Sequence, residues 1–289
     1  MKSNNVKLLQ QLAKFTAELE FPWSDSDYPI YPFLWEREVS GEFTIENLFR
    51  SVTPQFEPYE EGGKILKTAN LEDYLKQVWQ KTPKHQKAIE LLKNNTSSLE
   101  VAEIRSLDNP PDTFKILLGQ TKSGEWIGIA PQIPADFEEY TPTGDMIIGE
   151  PLLPIYLPQT ATNFELLNKL EPLLADLDFC EINLLGGFTD TGFILRFGET
   201  RESMFNNLLD AIGFARTFPF QKLTPDTDSE DDFEEEYMEA TQGIDDLLQS
   251  NLTNLHTYLF GIGCCYNIYF IGQTPDGDVA GVVSMAVWS

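Results

Sequence analysis

A short acidic stretch near the start of the chain, SDSDYP, combines residue types that are suited to binding chemistry. It places Asp25 and Asp27 between the aromatic side chains of Trp23 and Tyr28. A protruding loop that presents carboxylates beside aromatic rings can act as the contact tip of a protein-binding surface. Ser24 or Asp25 could equally cap backbone N–H groups in a tight turn, so the residue types leave both interpretations open.

Sequence motifs for catalysis are missing from the chain. It contains no glycine-rich phosphate loop, nucleophile elbow, H-E-x-x-H or paired-cysteine metal spacing. His85 lies at a polar helix start and is expected to be exposed, whereas His256 opens a strand without a nucleophile nearby. We therefore expect no enzymatic activity, no cofactor and no metal site. An enzyme whose site is invisible in one sequence is the less favoured alternative.

The three cysteines are an odd number, and two of them are adjacent. Cys180, Cys264 and Cys265 therefore do not suit a simple disulfide framework, and they are interpreted as core or strand thiols. The chain opens MKSNNVKLLQQLAKF, which is amphipathic and has no apolar signal-peptide region. No stretch approaches the roughly 18 unbroken apolar residues of a membrane helix. We expect a soluble protein in the cytoplasm that has no membrane partner.

Negative charge dominates the composition. Formal net charge is −26, and it is unevenly spread: up to Ile133 there are 15 basic and 19 acidic residues, a net of −4, while the remainder has 5 basic and 27 acidic residues, a net of −22. Such a chain repels nucleic acid and anionic membranes, and it attracts basic proteins such as those that bind nucleic acid. The alternative is that the charge only keeps the chain soluble.

The densest acidic run lies within the segment 224–240, which carries nine acids and no base from Asp226 to Glu239. Crowding of like charges predicts a mobile loop, a solvated spacer or the frayed start of a helix. As a partner-binding surface, it would present Asp226, Asp228, Glu230, Asp231, Asp232, Glu234, Glu235, Glu236 and Glu239.

Two pairs of similar segments indicate an internal duplication. LGQTKSGEWIG (118–128) and IGQTPDGDVAG (271–281) share their glycines at a displacement of 153 positions, and each predicts a β-hairpin around a glycine turn. A second displacement, of 158 positions, relates two helical patterns near the beginning of each block. They comprise Leu8, Leu9, Leu12, Leu19 and Phe21 in the first block, and Leu166, Leu167, Leu170, Leu177 and Phe179 in the second.

A repeat longer than about 100 residues indicates duplicated domains rather than a solenoid. Helices clustered between strands with hairpin turns predict the α+β class, with helices packed on an antiparallel sheet. We expect two similar domains in succession, 1–133 and 163–289, the second containing the acidic insert 224–240. The proline-rich segment 134–162 between them predicts an irregular linker whose apolar part packs on a domain.

At two of these motifs the chain resembles the nuclease A inhibitor family of cyanobacteria. FPWSDSDYPIYPFLWE is similar to the family's F-x-S-E-S-E-Y-P…F-L-W-E stretch, with one residue more after Phe21. FIGQTPDGDVAG, and more weakly LLGQTKSGEWIG, are similar to V-I-G-E-T-P-A-G-x-x-A-G. The resemblance implies a tandem duplication, with a degenerate second copy, of a small acidic α+β protein that inhibits a sugar-non-specific nuclease.

Inhibition in that family works by substrate mimicry, as the resemblance implies. A loop acid and the C-terminal carboxylate reach the magnesium-bearing active site, where carboxylate oxygens replace phosphate oxygens. By position in this sequence the loop acid is Asp25 and the terminal carboxylate belongs to Ser289, and we call these two groups the prongs. They fall in different blocks, and at the loop position block two offers only Glu181.

Three interpretations of binding follow from this separation. The two prongs could form a composite site if the blocks pack suitably, or the acidic half could attract a basic partner by charge alone, which the charge count favours. A scaffold or assembly factor derived from the inhibitor fold is a third possibility.

Overall fold

The computed structural model describes residues 2–21, 24, 27–51, 65–79, 82–105, 113–132, 156–174, 180–184, 187–225, 235–262 and 265–287. In chain order the helices and strands are α1 (Ser3–Phe15), β1 (Tyr31–Trp35), α2 (Arg37–Ser40), α3 (Ile45–Arg50), β2 (Leu66–Ala69), α4 (Leu71–Tyr74) with a π-helical continuation (Leu75–Trp79), α5 (Pro83–Asn95), β3 (Thr96–Arg105), β4 (Thr113–Thr121), β5 (Trp126–Pro131), α6 (Ala161–Leu174), β6 (Cys180–Leu184), β7 (Gly187–Thr191), β8 (Phe193–Gly198), α7 (Arg201–Ala211), β9 (Ala215–Pro219), α8 (Glu235–Asn251), β10 (Thr253–Ile262), β11 (Cys265–Gln273) and β12 (Val279–Val287).

These elements form two compact units. The described residues of unit two all fall between 44 and 215, and those of unit one fall outside that range. In each unit helices pack on an antiparallel sheet, so the predicted α+β class is confirmed.

Unit one has a five-stranded sheet in the order β1-β12-β11-β10-β9. Helices α1 and α8 pack against each other and against this sheet. Apolar residues four positions apart, such as Leu8 with Leu12 and Ile244 with Leu248, give each helix one apolar face and explain why these segments are helical in this position. These faces meet Ile268, Phe270 and Val282 of the sheet in the core.

Unit two has the strand order β2-β3-β4-β5-β8, with the β6–β7 hairpin attached to β4. Helices α5 and α6 pack together on the sheet, as α1 and α8 do in unit one. Trp79, Leu92, Leu170 and Phe197 are buried in its core.

His85 belongs to this core, and its predicted exposure is wrong. The side chain is only 1% exposed, and Nδ1 lies 2.8 Å from Oγ1 of Thr82, the N-cap of α5. Its ring packs edge-on against Trp79. Its neighbours in the sequence are polar, so the sequence pattern does not indicate that His85, the third residue of α5, faces the core.

The strand pairing crosses between the two sequence blocks. β1 of the first block pairs with β12 of the second, from Tyr31 opposite Val283 to Trp35 opposite Val279. β8 of the second block pairs with β5 of the first, with Trp126 opposite Gly198. Each block therefore contributes its first helix and one later strand, β1 or β8, to the unit that contains the last three strands of the other block. This grouping differs from the consecutive domains 1–133 and 163–289 expected from the sequence.

The repeated glycine motif forms the same turn in both units. The Thr121 N–H donates to Glu125 O at 2.7 Å, and the Thr274 N–H donates to Asp278 O at 2.8 Å. Gly124 and Gly277 have φ of 99° and 83°, the left-handed region in which glycine carries no steric penalty. The predicted hairpins are confirmed.

Each hairpin ends in a buried carboxylate. In unit one Asp278 is 2% exposed and accepts hydrogen bonds from Asn5 Nδ2 at 2.7 Å and from the Arg37 N–H at 2.9 Å. Lys2 Nζ lies 3.4 Å from the same carboxylate. Asp278 therefore fixes α1 and the end of β1 to the hairpin between β11 and β12.

Glu125 has the corresponding place in unit two. It accepts from Asn163 Nδ2, from Tyr156 Oη at 2.8 Å and from the Gln159 N–H at 2.8 Å, with Thr160 Oγ1 at 3.0 Å. The described end of the linker thus packs on this hairpin.

We call each buried carboxylate, Asp278 or Glu125, together with its donors a latch. The corresponding residues of the two latches are separated by the displacements of the repeat. Asn5 and Asn163 are 158 positions apart, and Asp278 and Glu125 are 153 apart. Each latch joins the first helix of one block to the hairpin of the other.

The pKa values of both carboxyls are lowered. Burial by itself would raise the pKa of Asp278, but the hydrogen bonds from Arg37, Asn5 and Lys2 stabilise the charged form more strongly. Burial likewise opposes ionisation of Glu125, and the donors from Gln159, Tyr156, Asn163 and Thr160 outweigh it. Both groups are therefore charged acceptors in the folded protein.

A double-mutant cycle tests the exchange between blocks. We expect Asn5→Ala and Asp278→Ala to be coupled by about 1–3 kcal/mol in the free energy of unfolding, because the two side chains share one hydrogen bond. Asn5→Ala and Glu125→Ala should be additive within about 0.5 kcal/mol. Urea unfolding of the single and double variants measures both cycles. Coupling of Asn5 to Glu125 instead of Asp278 would contradict the pairing of β1 with β12.

The lowered pKa values predict loss of stability in acid. A carboxyl whose pKa is lower in the folded state stabilises the protein above its unfolded pKa of about 4, and this contribution is lost as the pH falls through the folded value. The free energy of unfolding in urea should therefore decrease below about pH 5. Asp278→Asn with Glu125→Gln should be less stable at neutral pH and show a flatter decrease. Equal slopes for wild type and variant would exclude these groups as the cause.

Candidate functional site

The loop before β1 is the candidate binding tip, which we define as Ser24, Asp27 and Tyr28 together with the end of β12 at Val287. Its base is closed like a hairpin, since the Phe21 N–H donates to Tyr28 O at 2.8 Å. The Ile30 N–H donates to Leu19 O at 3.0 Å. The buried side chains of Phe21 and Ile30 anchor this base in the core of unit one.

Hydroxyl groups attach the tip loop to β12. The Val287 N–H donates to Ser24 Oγ at 3.0 Å, and Ser284 Oγ donates to Pro29 O at 3.0 Å. Ser24 thus accepts from a backbone N–H, as the turn interpretation expected of it, but the donor lies 263 positions away. The loop is therefore attached to strand β12 by tertiary contacts.

The structure describes part of the predicted contact residues. Asp27 is exposed and Tyr28 is half-buried, so both are accessible on the tip. Trp23, Asp25 and Ser289 lie outside the described residues. Asp25 directly follows Ser24 in the chain, and Ser289 comes two residues after Val287.

Unit two has a different structure at the corresponding position of the chain. Between α6 and β8 lies the β6–β7 hairpin, in which Glu181 pairs with Asp190 along the backbone. β5 ends at Pro131, and the following Gln132 N–H donates to Gly192 O at 2.8 Å. Within the described part of unit two, then, a strand hairpin stands where unit one has its loop.

The acidic run reaches the start of helix α8. Glu235, Glu236 and Glu239 are exposed on its first two turns, where negative side chains favour the positive end of the helix dipole. The other six predicted surface acids lie outside the described residues: Asp226, Asp228, Glu230, Asp231, Asp232 and Glu234.

Unit two contains a charged cluster that the sequence did not predict. Arg201 Nε and Nη2 donate to the two Glu46 oxygens at 2.8 Å, and Arg50 Nη2 donates to the same carboxylate at 2.9 Å. Burial opposes ionisation of Glu46, but the hydrogen bonds and charges of Arg201 and Arg50 lower its pKa. Arg201 also lies over the Trp126 ring, 5.1 Å from its centroid. A carboxylate saturated by two guanidinium groups holds α3 against α7 and is poorly suited to proton transfer.

The latch residues were also missed, although a signal for them existed. Asn5 and Asn163 repeat at the helix displacement, and Asp278 and Glu125 repeat at the hairpin displacement. An amide and a carboxylate conserved in type between the copies at both displacements mark a shared hydrogen bond.

No helix in the described ranges is long and apolar enough to cross a membrane.

The chain thus forms two α+β units, each built from segments of both copies of the repeat. The family model for nuclease A inhibitor-like proteins matches residues 6–133 and 214–288. Because the match covers more than half of the chain, the protein belongs to the nuclease A inhibitor-like family. Membership supports an inhibitor-like module that binds a protein partner such as a nuclease. No curated protein matches the chain.

The Ser24 contact generates a local prediction. Ser24→Ala removes the acceptor of the Val287 N–H, so we expect faster hydrogen exchange of that amide and a loss of about 1 kcal/mol or less in unfolding free energy. Amide exchange followed by NMR measures the effect. Ser250→Ala, at an exposed position on α8, is the control and should leave Val287 unchanged. Unaltered exchange in Ser24→Ala would exclude the contact.

Proposed function

We propose that the protein is a non-enzymatic inhibitor of a magnesium-dependent, sugar-non-specific nuclease, and that it binds through the tip of unit one. Family membership supports the class of partner. The observation that carries the proposal is the hydrogen bond between the Val287 N–H and Ser24, because it brings the chain neighbours of Asp25 and Ser289 together in one unit.

This arrangement removes the main objection raised by the sequence. As consecutive domains, each block would have one prong and lack the other. The loop of the first block leads into β1, and the end of the second block follows β12. These two strands are paired neighbours in one sheet. A composite site therefore needs no particular packing of one unit on the other.

The chemistry of the two prongs suits a magnesium site. A hard divalent cation prefers oxygen ligands, so carboxylates can take the place of substrate phosphate oxygens. Asp25 is one methylene shorter than the glutamate of the family motif, and the additional residue after Phe21 lengthens the loop that carries it. Asp27 and Tyr28 would contact the protein surface around the metal, where an aromatic side chain contributes buried area.

The acidic half of the chain would have a separate role in recognition. A net charge of −22 beyond Ile133 attracts a basic partner over distance and raises the association rate, whereas close contacts at the tip set the dissociation rate. The sequence count alone favoured charge as the main source of binding. The hydrogen bond between Ser24 and Val287, which precede the two prongs in the chain, supports the tip instead. The cytoplasmic location stays a prediction.

An inhibition assay tests the tip. With a purified magnesium-dependent, sugar-non-specific nuclease, Asp25→Asn should raise the inhibition constant by roughly 30-fold or more, because truncating one partner of a buried charged contact typically costs 2–5 kcal/mol. A Gly-Ser extension after Ser289, which displaces the terminal carboxylate, should have a comparable effect.

The matched control is Asp276→Asn. It removes one charge from an exposed turn of the same unit and should change inhibition by less than about threefold. Absence of inhibition by the wild type would refute the proposed function. Equal effects of Asp25→Asn and Asp276→Asn would refute the tip as its site.

A further inference from the structure

Unit one has a groove along helix α8, away from the latch. Its volume is about 680 Å³, and we call it the acidic groove. Its apolar lining includes Phe15 of α1 and Met238 of α8, which we call the floor, and Lys222, Thr224 and Pro225 from the segment before α8 form what we call the wall. Glu235, Glu239, Gln242, Gly243 and Asp246 complete its lining.

Specific contacts maintain the shape of this groove. Asp245 is fully buried and accepts from the Leu223 N–H at 2.9 Å and from the Thr224 N–H at 3.0 Å, which fixes the wall to α8. At Gly243 a Cβ atom would stand only 2.5 Å from the Phe15 ring. Glycine therefore allows α1 to approach α8 closely and places the aromatic ring in the floor.

The charges on the groove are nearly all of one sign. Glu235, Glu239 and Asp246 are exposed, and none of them belongs to an ion pair among the described residues. Asp246 accepts a hydrogen bond from the neutral amide of Gln242 at 2.8 Å. Lys222 is the one base among the lining residues.

These side chains form a stripe along α8. Met238 and Glu239 follow Glu235 by three and four positions, and Asp246 lies two turns further on. At 1.5 Å per residue the stripe is about 16 Å long, which matches roughly three turns of a ligand helix.

Unit two provides an internal comparison. Helix α5 has the position of α8, since each packs on the first helix of the other block and leads into the next strand of the sheet, with Leu92 and Leu248 buried on the last turn. The exposed residues of α5 include three lysines, Lys84, Lys87 and Lys93, whereas α8 contains no base. The fold therefore accepts either charge at this position and does not require the acids of α8.

We propose that the acidic groove binds a basic amphipathic segment of a protein partner. One or two apolar side chains of the segment would contact Phe15 and Met238, while its lysines or arginines would pair with Glu235, Glu239 and Asp246. This deepens the proposed function, on which it rests for the basic character of the partner, by adding a second contact distinct from the tip. Charge complementarity along a helix-length stripe with an apolar floor selects this occupant.

A labelled peptide tests the groove directly. The probe is a fluorescein-tagged peptide of about 14 residues made of Lys and Leu, with its leucines at helical spacing; a scrambled peptide of the same composition is the comparison. By fluorescence anisotropy the full chain should bind the amphipathic peptide at least about tenfold more tightly than the scrambled one, since only the former aligns its apolar face with the floor.

Variants of the groove test which side chains bind the peptide. The triple variant Glu235→Gln, Glu239→Gln and Asp246→Asn should weaken binding by about tenfold or more. Met238→Ala should weaken it at unchanged net charge.

The control variant has the same change in net charge at exposed acids of unit two. Glu72→Gln with Glu90→Gln and Glu171→Gln should alter peptide affinity less than about twofold, and circular dichroism establishes that both triple variants are folded. Equal binding of both peptides, or equal losses in both triple variants, would overturn the proposal. Asp25→Asn should leave peptide binding intact. Peptide binding without nuclease inhibition would therefore refute the proposed function and retain the groove, and the reverse result would refute the groove alone.

Discussion

The buried carboxylate at the end of each glycine turn is the interaction on which the architecture depends. Asp278 and Glu125 each accept a hydrogen bond from an asparagine amide on a helix that belongs to the other copy of the repeat. A buried carboxylate without donors would be costly, so the amides of Asn5 and Asn163, together with the other donors, stabilise each hairpin in this form. Lowered pKa values of both acids reflect the same stabilisation. Each latch thereby holds a hairpin of one copy and a helix of the other copy together within one unit.

Exchange of segments between the copies gives two units that differ in structure. Unit one contains the described part of the loop before β1 and the last strand, β12, whereas unit two has a strand hairpin at the loop position. Unit two also contains the saturated Glu46 cluster and a lysine-bearing α5 where unit one has the acidic α8. The two units therefore differ in the segment at the loop position and in the charge of the helix that packs on α1 or α6.

The proposed recognition uses two contact surfaces of unit one. The tip presents few groups whose positions are fixed by hydroxyl contacts to β12, which suits a metal-bearing cleft. The acidic groove presents a longer stripe of charge over an apolar floor, which suits an amphipathic segment. Both surfaces lie within a single compact unit, so their geometry depends on the core formed by α1, α8 and the sheet.

Periodicity and turn residues determined the local structure: the leucine spacing predicted α1 and α6, and the glycine turns predicted both hairpins. The family motifs in FPWSDSDYPIYPFLWE likewise placed the loop ahead of β1. Pairing between copies could not be read in the same way, because two similar blocks offer β1 chemically equivalent edges in β5 and β12. Only tertiary contacts distinguish those edges, and the donors around Asp278 and the Ser24–Val287 contact do so. The burial of His85 and the equivalent positions of α5 and α8 in their units also depend on neighbours far away in sequence, which is why only the folded structure decided them.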